Sequence, residues 1–150
     1  MTARNGIRCT LVAVVVWAAA GCNPEHQLAP RTNWYVSDVP VPQGFSRNIR
    51  ESMYSTGATG RRILDVYEGG AEPIKVRNFY VTNMQSQGWA FEDESLEGQV
   101  YMLHFKKSKE TCTITVSKRQ GLFAPTQARV NLDSSRETAS GGKDERPGQP

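Results

Sequence analysis

The sequence predicts an α+β domain: two layers, with a mostly antiparallel sheet of four or five strands covered by one helix, in the order β-β-α-β-β-β. Three observations predict it. Apolar residues recur every three or four positions in one stretch only, residues 71–87. Two later stretches, 100–107 and 111–118, alternate with a period of two. Glycine-bearing turns punctuate the shorter apolar runs around them.

The first strand is expected over 45–54, where Phe45, Ile49 and Met53 share one parity, although Arg47 and Glu51 share it too and suggest an edge. A permissive turn at Gly57-Ala-Thr-Gly60 leads to a second strand, 62–68, with Leu64 and Val66 on one side and Ile63, Asp65 and Tyr67 on the other. In the helix, Val76, Phe79, Tyr80 and Met84 form the apolar stripe. Pro73 suits the first turn, because its missing N–H has no partner there, and Gly88 suits the left-handed residue that closes the helix. Trp89-Ala-Phe91 restarts an extended chain, and the acidic run Glu92–Glu97 is expected as a solvated turn. Residues 100–107 and 111–118 form the clearest hairpin: Cys112, Ile114 and Val116 face the helix, and Thr111, Thr113, Thr115 and Ser117 face water. Residues 121–132, interrupted by Pro125, supply a short strand or a closing strap. Such a fold leaves one sheet face open, with Thr113 and Thr115 as candidate partner contacts.

The N-terminal stretch has a different character. Arg4 and Arg8 precede ten uncharged residues, 11–20, and small residues at Ala19, Ala20 and Gly21 come just before Cys22. This is the pattern of an export signal. Ten helical residues rise about 15 Å, half of a bilayer core of roughly 30 Å, so the stretch is too short to be a good permanent span. Residues 19–22 resemble the lipobox of bacterial lipoproteins, although Leu is commoner than Ala three places before the cysteine. The resemblance implies cleavage between Gly21 and Cys22, a diacylglycerol on the Cys22 sulfur and an acyl chain such as palmitate on the new amine. An ordinary signal peptide cut after Ala20 is the other reading. On the lipobox reading, residues 1–21 are the signal and 22–44, rich in Pro, Asn and polar residues, are the lipidated cysteine and a tether. Residues 45–132 are then the domain, and 133–150, without a large apolar residue, a disordered tail. Asn23 is not the Asp that favours inner-membrane retention, so the resemblance implies an outer-membrane address facing the periplasm.

Charge and cysteine content narrow the function. The chain of 150 residues carries 18 Lys and Arg, and losing Arg4 and Arg8 leaves 16 against 15 Asp and Glu. A net charge of about +1 gives no electrostatic case for a nucleic-acid partner. Cys9 lies in the signal and Cys22 in the anchor, which leaves Cys112 as the one ordinary thiol and rules out an internal disulfide. With two histidines, His26 and His104, and no HExxH or clustered Cys/His set, neither a metal nor a cofactor is expected. Asp65 and Glu68, three apart in a strand, point to opposite faces and cannot act as paired carboxylates. His104 and Cys112 differ in parity, which argues against a thiol–imidazole pair. No enzyme is expected.

The succession Val39-Pro-Val-Pro-x-Gly44-Phe45, Tyr67-Glu-Gly, Phe79-Tyr80-x-x-x-Met84-x-x-x-Gly88-Trp89, Leu103-x-Phe105-x-Lys107 and Cys112-x-Ile114-x-Val116 resembles a family of small bacterial envelope lipoproteins. That resemblance implies an address and a fold, without catalytic residues. The expectation is a non-enzymatic envelope lipoprotein, held at the membrane by its lipid, that binds or supports an envelope protein. The alternative is a carrier or sensor of a small envelope ligand, a lipid or glycan fragment, in a pocket under the helix lined by Phe79, Tyr80, Met84 and Trp89. Trp89 and Tyr80 are therefore candidate partner or ligand contacts, and Trp89 also suits a bulky seal at the helix–strand corner.

Overall fold

A computed structural model describes residues 27–58 and 60–134. The lipobox, Gly21 and Cys22 lie outside the described residues, as does the expected tail beyond Ser134.

The fold class is the expected one: among the described residues, a single helix packs on an antiparallel sheet. The sheet is wider than four or five strands. Its first edge is a broken strand, β3 (Ser46–Arg47) and β4 (Met53–Gly57), both paired with β5 (Gly60–Gly69). Across from β5 come β9 (Thr126–Asp133), β8 (Glu110–Lys118), β7 (Val100–Lys107) and β6 (Ala90–Glu97), every neighbour antiparallel. The single strand expected over 45–54 is interrupted at Asn48–Ser52. There the Ser52 hydroxyl donates to the Asn48 carbonyl at 2.7 Å and accepts from the Val66 N–H. Ile49 and Met53 are consequently exposed rather than in the core.

Residues 121–132, left as a short strand or strap, instead yield the central strand of the sheet. Thr126, Ala128, Val130 and Leu132 point to the core between the side chains of β5 and β8, and Pro125 falls just before the strand begins. The acidic run is not a turn. Glu92–Glu97 is the edge strand β6, with a register shift between Phe91 and Asp93. An edge strand presents unpaired backbone groups, and a row of carboxylates discourages another chain from adding there.

The helix α1 (Pro73–Ser86) begins with Pro73 in its first turn and ends as the sequence predicts. Gly88 takes φ +84°, its N–H bonds to the Gln85 carbonyl, and the Trp89 N–H bonds to the Met84 carbonyl. Paired bonds of this kind satisfy the last carbonyls of a helix. Val76, Phe79, Tyr80 and Met84 are buried against one sheet face, formed by Leu103, Phe105, Cys112, Ile114, Val116, Ala128, Val130 and Leu132.

The main correction concerns residues 22–44, expected as a tether. From Gln27 onward they belong to the domain. The segments β1 (Pro30–Arg31) and β2 (Val41–Pro42) pair, and Val36, Val39, Val41 and Phe45 enter the core. This strap fills the part of the sheet face that one helix does not cover. Its far end is fastened by charge: Arg61 donates to both Asp38 and Glu110, and Lys107 donates to Asp38 at 3.0 Å. Its near end is fastened by shape, because the Phe45 ring lies on Gly69, where a Cβ would collide with it.

Candidate functional site

A cleft of about 210 Å³ opens where the strap meets the β3–β5 edge. Arg31, Asn33, Trp34 and Tyr35 form one wall, and Phe45, Arg47 and Tyr67 form the other. Behind this second wall lies a buried polar group. The Asp65 carboxylate, at 0% exposure, accepts from Arg47 Nε at 2.7 Å and from the Tyr67 hydroxyl at 2.9 Å. Strand alternation aims Asp65 and Tyr67 toward the helix side along with Ile63, which is why a carboxylate lies in the core at all. Burial, and then the neighbouring Asp65 charge, hold the Tyr67 hydroxyl well above the usual tyrosine range, so it stays a donor.

Two polar groups around this cluster lack hydrogen bonds of ordinary geometry among the described residues. Asn33 is 4% exposed; its Oδ1 accepts from the Tyr35 N–H at 3.0 Å, and its Nδ2, which lies toward the Tyr67 hydroxyl, makes no hydrogen bond of ordinary geometry. The Tyr80 hydroxyl, wholly buried, also has none, and burial foremost, with Tyr67, Cys112 and Asp65 nearby, keeps it protonated. Leaving such a group unsatisfied costs about 1–3 kcal/mol. The mouth is aromatic: Trp34 is 87% exposed, and the Arg47 guanidinium sits 4.0 Å from the centre of the Tyr35 ring. The cleft therefore offers a nearly buried amide, the exposed Arg31 guanidinium and the exposed Trp34 ring to one small guest.

The residues singled out from sequence are dispersed. Tyr80 and Met84 are buried between the helix and the sheet, where they belong to the hydrophobic core. Phe79 reaches only a small recess of about 60 Å³ on the helix flank, beside Gln27 and Leu28. Trp89 is no partner contact: it is sealed in the corner, donating to the Asp38 carbonyl at 2.8 Å with Lys107 5.5 Å from its ring centre. Tyr80 likewise cannot meet a partner at the surface. It lies close to Tyr67 and Asp65 in the core.

Thr113 and Thr115 stand half-buried on the sheet face opposite the helix. His104 joins them there, 3.3 Å from Thr113 Oγ1 and 3.8 Å from Asp93. Cys112 faces the core, and burial pushes its thiol up to about 12, so no thiol–imidazole pair forms. Asp65 and Glu68 fall on opposite faces. Among the described residues, no cluster of His, Cys, Asp and Glu could hold a metal, and no helix is long and apolar enough to cross a membrane. The sequence reading missed Asn33 and Arg47. The signal available was the charged Asp65 on the parity of Ile63 and Tyr67, which asks for a cationic partner.

No curated protein and no solved structure matches the chain. A family model described as START domain-like matches residues 49–131, which take in the helix and most of the sheet but not the strap. The match covers more than half of the 150 residues, and the chain belongs to the START domain-like family.

Proposed function

We propose that this chain is a non-enzymatic lipoprotein of the bacterial envelope, anchored through Cys22, whose START-like domain binds a small envelope ligand in the strap cleft. The observation that carries the binding reading is the Asn33 amide at 4% exposure, which makes no hydrogen bond of ordinary geometry although it lies toward the Tyr67 hydroxyl, in the lining of a cleft that Tyr67 shares. Membership of a START domain-like family supports a ligand-binding domain. Size narrows the guest. At about 210 Å³ the cleft is below the roughly 300–1,000 Å³ that drug-sized ligands occupy, which favours a sugar unit or a lipid headgroup over a whole lipid. The envelope address rests on the lipobox resemblance at residues 19–22, and Asn23 favours the outer membrane.

Trp34 makes the test direct. Trp17 leaves with the signal, so the mature chain has an exposed Trp34 and a buried Trp89. Titrating candidate glycan fragments and short-chain phospholipids into the protein is expected to shift the Trp34 emission, and Asn33→Ala is expected to weaken that binding about tenfold, the equivalent of one lost hydrogen bond near 1.4 kcal/mol. A shift that survives Trp34→Phe, or affinity unchanged in Asn33→Ala, removes the cleft from consideration. Intact mass of the membrane-extracted protein tests the anchor separately: a chain beginning at Cys22 and carrying lipid is expected.

A second reading keeps the protein-partner expectation, on the observation that the open sheet face is polar and uncovered around Thr113, Thr115 and His104. Charged substitutions at Thr113 and Thr115 would then abolish envelope crosslinks while the domain stays folded. Crosslinks that persist in both variants sink this reading.

A further inference from the structure

The β8–β9 turn is built against ordinary preference. Lys118 pairs with Thr126, the Arg119 N–H bonds to the Pro125 carbonyl, and the Ala124 N–H bonds to the Gly121 carbonyl. Leu122 and Phe123 are thus the two central residues of a tight turn, and Phe123 takes φ 65°, a region that favours glycine. Neither side chain packs inward: Leu122 is 89% and Phe123 95% exposed. Two large apolar groups held in water by a strained turn indicate a contact outside the domain.

The surroundings identify that contact as a lipid surface. Exposed Lys118 leads into the turn, followed by Arg119, whose guanidinium is held by Glu51 and Glu68; exposed Ile74 and Lys75 of the helix's first turn lie at the same end of the sheet, where the Thr126 hydroxyl donates to the Ala71 carbonyl. Apolar tips beside cations match the layering of a bilayer interface. The N-terminal chain enters on the helix side of this end: Gln27 and Leu28 lie by Lys75 and Phe79, and the Ala29 carbonyl accepts from Gln43 close to Phe45. Four residues lie between Cys22 and Gln27, so the five Cα-to-Cα steps reach at most roughly 18 Å.

We infer that Leu122 and Phe123 enter the interfacial layer of the membrane that holds the anchor, turning this end of the domain toward the lipid. The choice of membrane rests on the lipoprotein reading; the turn geometry does not. The anchored chains supply residence, since several acyl chains bind stably, and the tip supplies orientation.

The test uses the full protein purified from the cells that make it and returned to phosphatidylethanolamine–phosphatidylglycerol vesicles. An environment-sensitive fluorophore is placed at Leu122→Cys or, as a control, at Lys109→Cys in the exposed β7–β8 turn at the opposite end of the sheet. Cys112 is buried and does not compete for label. The expected result is a blue shift at position 122 with loss of iodide quenching and gain of quenching by lipid-borne nitroxide, and none of these at 109. Iodide quenching at 122 equal to that at 109 overturns the inference. Mass of the same sample judges the anchor independently: a chain lipidated at Cys22 whose probe stays in water keeps the anchor and defeats the tip. An unlipidated chain, carrying Cys22→Ser so that position 122 alone takes the label, whose probe enters the vesicle does the reverse.

Discussion

Arg47 and Asp65 form a nearly enclosed ion pair: Nε lies 2.7 Å and a terminal nitrogen 2.6 Å from the same carboxylate oxygen, with the Asp65 side chain at 0% exposure and that of Arg47 at 16%. The Tyr67 hydroxyl occupies the other carboxylate oxygen. Removing one partner of such a pair strands the other charge in a poor solvent, at a cost of about 3–5 kcal/mol. Arg47→Leu is therefore expected to lower stability by that amount in chemical denaturation. Arg47→Leu with Asp65→Asn should recover much of it, because the second change removes the stranded charge. A single variant within about 0.5 kcal/mol of the parent would mean that the pair does not exist in solution.

Asp38 ties the strap to the sheet. Burial opposes its ionisation, but hydrogen bonds from Arg61 and Lys107 outweigh burial and hold the carboxyl below its ordinary range. The sign follows from the depressed folded value. The contribution is fully present above the unfolded value near 3.9 and is lost as pH falls through the lower folded value. Asp38→Asn should cost stability at neutral pH, by about 1–3 kcal/mol, and the gap to the parent should close below about pH 4. Denaturation curves at pH 7 and pH 3 check this. An equal gap at both pH values would show that Asp38 is not ionised in the fold.

These two clusters also mark where sequence reading succeeds and where it stops. The hairpin of β7 and β8 was legible because each strand alternates without a break, Tyr101 to Phe105 and Cys112 to Val116, and the helix because Pro73 and Gly88 bracket one apolar stripe. β9 carried an equally good signal, with Thr126, Ala128, Val130 and Leu132 alternating against Gln127, Arg129 and Asn131, but the nearby Pro125 obscured it. The strap had no such pattern. Val36, Val39 and Val41 are separated by polar residues and Pro40, and each is buried by contacts distant in the chain. A cleft that exists only when the strap lies on β5 was hidden with it: Asn33, Arg47 and Asp65 share no local periodicity.

Cys112 gives a prediction in the alkaline range. Burial, ahead of the nearby Asp38 charge, raises its folded value to about 12, whereas an unfolded thiol titrates near 8.5. The unfolded chain therefore ionises first. The Cys112 contribution is intact below about pH 8.5 and is lost progressively toward pH 12, by at most about 1.4 kcal/mol per pH unit. Cys112→Ala should flatten that part of the pH–stability curve. Alkylation of Cys112 at pH 8 should require unfolding; modification of the folded protein at the rate of a free thiol would refute the burial.

Phe123 separates strain from packing. A non-glycine residue in the left-handed region costs roughly 1–2 kcal/mol, and a side chain 95% exposed returns almost nothing through burial. Phe123→Ala keeps the strained backbone and should change stability by less than about 0.5 kcal/mol. Phe123→Gly relieves the strain but frees the unfolded chain, an offset of about 0.4–1 kcal/mol, so it should exceed the Ala variant by up to about 1 kcal/mol. Thermal denaturation of the three proteins without lipid provides the comparison. A Gly variant clearly less stable than Ala would mean that the turn does not hold φ 65° in solution. A turn that is more stable without Phe123 would place the reason for that residue outside the folding of the domain.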